Sequence, residues 1–338
     1  MTDLDAFIAG LPKAELHVHH VGSASPRIVA ELAERHPGTV PSDLDELERF
    51  FVFDDFAHFI RNYLAVVALI KTAEDVRLLT YEIAAEMAGQ QIRYAELTVT
   101  PYTSVTDTLP VEAFLEAIED ARRAARRDLG LELRWIFDIP ADFGMPAAEM
   151  TASAALDHDV PGLVGFGVGG SELGFPRSMF RDQFDRARAA GLHSVPHAGE
   201  TTGPETIWDA LRELGAERIG HGISAVRDPA LMAHLAQRGI VLEVCPTSNV
   251  RTRAVATIEE HPLPTLVAAG VPVTVNSDDP PMFGTTLNDE YAVAARLLEG
   301  DASTVTGLAR AAVAASFLPA ADKARITAEI EAYAAAAS

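Results

Sequence analysis

The 338-residue chain has one cysteine, Cys245, which excludes a disulfide framework and suits a reducing compartment. Basic residues are also scarce. Twenty-seven Lys and Arg face 49 Asp and Glu, a formal charge of −22, and three of the 27 are lysines. A field of that sign repels phosphate backbones and anionic lipid, so neither nucleic acid nor a membrane surface is expected as a partner. Long apolar runs are missing: the longest candidate, residues 63–70, is far short of the ~20 residues a spanning helix needs. The acidic N-terminus carries no apolar signal-peptide core, and a cytoplasmic location is expected. No G-x-G-x-x-G opens a helix after the first strand, which removes support for a dinucleotide-binding sheet.

What is present is a regular alternation. Apolar, β-prone runs fall at residues 14–19, 92–100, 133–139, 163–168, 193–197, 218–221, 241–245 and 271–276. Amphipathic stretches lie between them, at 110–128, 178–190, 204–214, 229–237 and 263–269. Eight such units, apolar on both faces of each strand, predict an α/β fold of the (β/α)₈ TIM-barrel type, with its sheet buried on both sides. Residues 26–90 read as a helical insertion after the first strand, and about three helices follow residue 287. No Gly/Ser/Pro-rich linker interrupts the chain, so residues 1–338 read as one domain. The arginine run at 122–127 reads as a solvated helix face.

Polar groups end several of the apolar strands. In "HVHH" (17–20) the alternation of a strand points His17 and His19 to one face, near the C-terminal end where barrels keep their active sites. "HAGE" (197–200) ends the fifth strand, "RIGHG" (218–222) the sixth and "SDDP" (277–280) the eighth. A buried ionisable group without a partner costs several kcal/mol. Four such strand ends on one face of a barrel are therefore hard to explain as packing. Imidazoles and a carboxylate there suit a single zinc ion with one position left for water. Cys245 has no second cysteine beside it, so a zinc site of the P-C-x-x-C kind is excluded. Strand four has no lysine to bridge two metals.

"PKAELHVHH", "HAGE", "RIGHG", "CPTSN" and "SDDP", in this order and spacing, resemble the adenosine deaminase family of metal-dependent aminohydrolases. The resemblance implies one Zn²⁺, or another divalent ion, held by His17, His19, His197 and Asp278. It implies that Glu200 protonates purine N1, that His221 orients and deprotonates the attacking water, and that Asp279 meets N7. Gly170, in "VGFGVGGSE", would offer its backbone donor to N3. The implied reaction is hydrolytic deamination of a 6-aminopurine nucleoside, with a small-molecule purine as the partner.

Family members that act on adenosine usually carry Leu-Asp-Gly or Leu-Glu-Gly after the second histidine, and the acid holds the 5′-hydroxyl. Here His20-Val21-Gly22 stands in its place, and valine accepts no hydrogen bond. Val21 is thus expected at the 5′ end of the substrate, while His20 points to the other face of the strand, where it reads as a supporting residue or, in an adenosine-specific enzyme, as the contact to the 5′-hydroxyl. "HVHHVGSASP" with "HAGETTGPETIWDA" resembles the aminodeoxyfutalosine deaminase branch, which serves menaquinone biosynthesis and whose substrate has a carboxyphenyl group at the 5′ end. Apolar residues of the 53–59 segment would cover that group, and Arg177 or Arg27 would meet its carboxylate. The alternatives are an ordinary adenosine deaminase, an adenine deaminase, and an inactive binding barrel.

Overall fold

The computed structural model describes residues 3–53 and 56–337, with the side chains of Phe56 and Ala57 left aside. The apolar runs become nine parallel segments: β1 (Lys13–His19), β2 (Ile92–Val99), β3 (Glu132–Pro140), β4 (Leu163–Gly169), β5 (His193–Ser194), β6 (His197–Ala198), β7 (Arg218–His221), β8 (Val241–Val244) and β9 (Val273–Val275). Two ladders, β1 to β5 and β6 to β9, run in chain order. β5 and β6 are halves of the expected fifth strand, parted by Val195 and Pro196. Proline has no N–H for the ladder, which is why the strand breaks there. Single bonds carry the sheet across the break: Val195 N donates to Phe166 O and Gly220 N to Pro196 O, each at 3.0 Å.

The ring closes where β9 meets β1. Val18 bridges Asp278, His19 N donates to Asp278 O at 2.8 Å, and Asp278 N donates to His17 O at 3.1 Å. Eight staves thus form the (β/α)₈ barrel. Helices start where capping chemistry allows. Ser25 accepts from Ile28 N ahead of Pro26, Asp228 caps a helix opening at Pro229, and Thr72 and Asp75 form a reciprocal capping box. The 26–90 insertion holds the helices Pro26–Arg35, Leu44–Phe50, Phe56–Val67 and Ala73–Gly89. Three more, Leu287–Leu297, Ala302–Ala315 and Ala320–Ala337, end the described chain. Among the described residues no helix is long and apolar enough to cross a membrane.

The floor of the barrel is charged, not apolar. Buried Arg218 sends Nε to Glu243 Oε1 at 2.6 Å, a second nitrogen to Glu96, and Nη1 to Ala315 O at 2.8 Å. Glu96 also accepts from Tyr94 Oη (2.7 Å) and from Phe317 N (2.9 Å), while Phe317 lies under the guanidinium at 3.9 Å. Buried charges persist only when paired this completely. The arginine run departs from expectation at one position: Arg122 is buried, bound to Glu119 (2.9 Å) and Glu132 (3.0 Å). Arg123, Arg126 and Arg127 stay in solvent as expected.

Candidate active site

His17 and His19 leave β1 on the same side, as the two-residue period of a strand requires. β6 begins with His197, and Asp278 follows β9 with φ at +67°, a left-handed backbone that non-glycine residues adopt only under tertiary constraint. Their donor atoms converge. Asp278 Oδ1 lies 3.2 Å from His19 Nε2 and 3.5 Å from His17 Nε2, and His19 Nε2 lies 3.3 Å from His197 Nε2. One ligand atom from each of the four falls within 4.8 Å of all the others. His17 Nε2 is buried with no hydrogen-bond partner.

The electrostatics fit a cation. Burial disfavours charge on His17, yet the neighbouring carboxylates of Asp278 and Glu243 outweigh it and lift its pKa to about 10. Burial likewise opposes charge on His19, and Asp279 with Asp278 raises it to about 9. Despite burial, contacts with His17 and His19 hold the Asp278 carboxylate well below its usual range. A divalent ion among the four donors would supply the positive charge these carboxylates demand. A second grouping, His17, His221, Cys245 and Asp278, is also close enough. Burial and nearby carboxylates push the Cys245 thiol far up, however, and its Sγ leans on Glu243 O at 3.6 Å. A thiol so held is a poor ligand.

Supports surround the donors. Glu243 Oε2 accepts from His17 Nδ1 at 3.0 Å, which turns Nε2 toward the cluster, and Ser248 Oγ donates to Asp278 Oδ2 at 2.5 Å. Glu200 stands beside them, its Oε1 accepting from Thr252 Oγ1 at 3.0 Å and its Oε2 at 3.5 Å from His221 Nε2. Burial, then the charges of Asp278 and Glu172, push the Glu200 pKa up to about 8. Glu172 also shapes the loop: it accepts from the backbone N–H of Glu200 (3.2 Å), Thr201 (3.2 Å) and Thr202 (2.9 Å). Asp279 is buried beside Asp278 and is pushed up by burial. Gly22 lies so close to it that a Cβ would overlap Asp279 Oδ1, so no larger residue fits there. Gly170, at φ +78°, is held by Asp142, which accepts from Ser171 N at 2.9 Å.

His19, His197, Glu200, His221, Asp278 and Asp279 line one cavity, together with an apolar outer part formed by Phe59, Ile60, Tyr63, Leu64, Phe143 and Phe283. Of the 53–59 segment, Phe59 lines the cavity, its ring tilted against Phe283 at 5.0 Å, with Phe53 against both; Asp54 and Asp55 lie outside the described residues. Four expected contacts are not part of this lining. His20 is buried against Thr80 Oγ1 at 2.8 Å, and Val21 is packed in the core. Arg27 sits in solvent with Glu82 (2.8 Å) and Glu86 (3.0 Å). Arg177 is wholly buried and donates to His197 O at 2.8 Å, so it braces a donor residue and is closed to substrate.

Sequence reasoning missed Glu172, Glu243, Ser248, Asn249 and Thr252. A signal existed for Glu243, the one charged residue in an otherwise apolar strand, and for Ser248 and Asn249 inside "CPTSN".

The family pattern described as adenosine deaminase matches residues 12–333. An aminodeoxyfutalosine deaminase of Streptomyces avermitilis is 63% identical over 337 residues, covering 99% of this chain and 94% of its own length. An adenosine deaminase of Serratia proteamaculans is 39% identical over 291 residues, 84% of this chain and 87% of its own. The crystal structure of an adenine deaminase from Arthrobacter aurescens superposes with a TM-score of 0.90 at 32% identity, covering 96% of this chain and 99% of that one.

Proposed function

The chain belongs to the adenosine deaminase family, and from that footing we propose that it is a cytoplasmic, zinc-dependent hydrolase that removes the 6-amino group of aminodeoxyfutalosine, a step of menaquinone biosynthesis. The observation that carries the substrate is the 63% identity with the Streptomyces enzyme, against 39% with an adenosine deaminase. One feature agrees with it: the outer cavity is apolar where a larger 5′ group would lie.

His17, His19, His197 and Asp278 would hold the metal. When bound, such an ion makes water a nucleophile near neutral pH. The remaining work falls to the chain itself. Glu200, with its raised pKa, keeps a proton to give to the ring nitrogen as the oxygen adds to C6. Asp279 and the Gly170 backbone orient the purine edge, and His221 faces the attacking oxygen. The apolar lid formed by Phe59, Tyr63 and Leu64 excludes water from the open side. Ammonia release from aminodeoxyfutalosine, adenosine and adenine, compared as kcat/KM, tests the reading. A clear preference for adenosine overturns the substrate assignment.

A further inference from the structure

Behind His221 runs a chain of polar contacts that the reaction as described leaves without a role. His261 is buried, and its Nδ1 receives the backbone N–H of Leu263 at 3.2 Å. A peptide N–H can only donate, so this nitrogen carries no proton. Burial also lowers the His261 pKa to about 4, which leaves the ring neutral at pH 7. Its single proton therefore sits on Nε2, which faces Asn249 Oδ1 at 3.2 Å. With the amide oxygen engaged by His261, Asn249 turns Nδ2 to His221 Nδ1 at 3.1 Å. An amide NH₂ donates and cannot accept, so His221 Nδ1 is the acceptor and Nε2 bears the hydrogen. Tautomers and amide orientations are assigned from hydrogen-bond networks, and here one unambiguous donor, the Leu263 peptide, determines every link after it.

We propose that His261 and Asn249 are positioning residues that lock the proton of His221 onto Nε2, so that His221 enters the reaction as a hydrogen-bond donor. Nε2 points toward Glu200 Oε2 at 3.5 Å and Asp278 Oδ2 at 3.8 Å, the side on which the oxygen attacks. A protonated Nε2 steadies negative charge on that oxygen but cannot remove its proton, which departs from the role expected of His221 as a base. The proton of the water goes to Glu200, whose carboxyl is free to take it once it has given its own proton to the ring nitrogen. The same tautomer keeps His221 out of the ligand set, since one nitrogen is engaged by Asn249 and the other holds hydrogen. This inference rests on the deaminase reading of the site and not on which nucleoside is preferred.

The test begins with the zinc-loaded, [¹⁵N]histidine-labelled wild-type protein, where the His221 signals are assigned by their loss in His221→Gln. Nδ1 in the unprotonated nitrogen range and Nε2 in the protonated range are expected, and the reverse pattern overturns the proposal. His261→Leu removes the donor to Asn249 and should lower kcat by about 10²-fold, the cost of a displaced transition-state donor, with KM little changed. His261→Gln, whose side-chain N–H can replace the lost donor, should recover most of kcat and the wild-type ¹⁵N pattern. Equal kcat in His261→Leu and wild type, or a loss with unaltered His221 signals, overturns it. Asn249→Asp moves the His221 proton toward Nδ1. Were His221 a base, that change would hold or raise kcat, and such a result also sinks the proposal. Ammonia release is read with both aminodeoxyfutalosine and adenosine, so a failed substrate assignment does not obscure the outcome.

Discussion

Glu243→Gln sets two buried donors against each other. The carboxylate touches Arg218 Nε at 2.6 Å through one oxygen and His17 Nδ1 at 3.0 Å through the other. An amide of the same shape has one oxygen to offer. A hydrogen bond to a charged group is worth about 1.5–3 kcal/mol, against about 0.5–1.5 for a neutral pair. The new oxygen therefore turns to Arg218, and the NH₂ group turns to His17. Facing a donor, His17 must leave Nδ1 bare and carry its proton on Nε2, the nitrogen that points at His19, His197 and Asp278. A protonated nitrogen cannot bind a metal. Loss of such a supporting partner typically costs 10–100-fold in metal affinity, about 1.4–2.7 kcal/mol, and a forced change of tautomer places this variant at the upper end. Arg218 keeps Glu96, so the barrel floor should survive and the variant should fold. Competition with a chelator of known zinc affinity, beside a circular-dichroism melt, measures both. A folded Glu243→Gln protein whose metal affinity stays within about 3-fold of the parent would refute the reasoning.

Other outcomes follow from the same geometry. Because Glu200 acts while protonated and its pKa is raised to about 8, kcat/KM should hold on the acid side of that value and fall as pH rises through it. Glu172→Gln removes a neighbouring negative charge and should move that limb to lower pH; an unmoved limb counts against the assignment. Phe143→Ala or Leu64→Ala should lower kcat/KM for aminodeoxyfutalosine about tenfold, the scale of one lost apolar contact surface, and affect adenosine less. Equal losses on both substrates would mean that the outer cavity does not hold the 5′ group. Exhaustive chelation should abolish ammonia release and one equivalent of zinc should restore it, whereas activity that survives chelation would rule out a metal at the His17 cluster.

The polar strand ends were legible because they advertise themselves, an imidazole or carboxylate closing an apolar run being out of place unless something binds it, while the choice of four among them came from the family resemblance. His17, His19, His197 and Asp278 stood at such ends, and the structure brings them together. Residues that support them were harder to see. Asn249 and Thr252 come from the helical turn after β8, and Glu172 from a loop, where no period marks an inward side chain. Arg177 misled for the same reason. Chain position put it beside the site, but only packing tells whether a guanidinium faces the cavity or turns back to brace His197 O. Pro196 could have announced the split fifth strand, since an interior proline deprives the ladder of a donor. Nothing local signals that His261 reaches Asn249 twelve residues earlier.

The two discontinuities of the barrel's ladder fall where the donors stand. His197 begins the segment after the Pro196 break, and Asp278 faces His17 and His19 across the closing seam. An ion gripped by all four would act like the hoop of a cask, tightening the joints that the peptide bonding leaves weakest. Spreading of the staves would pull the donors apart, and release of the ion would let the staves spread. Retention of such an ion and integrity of the wall would then be a single mechanical property, placed by one proline and one closing aspartate.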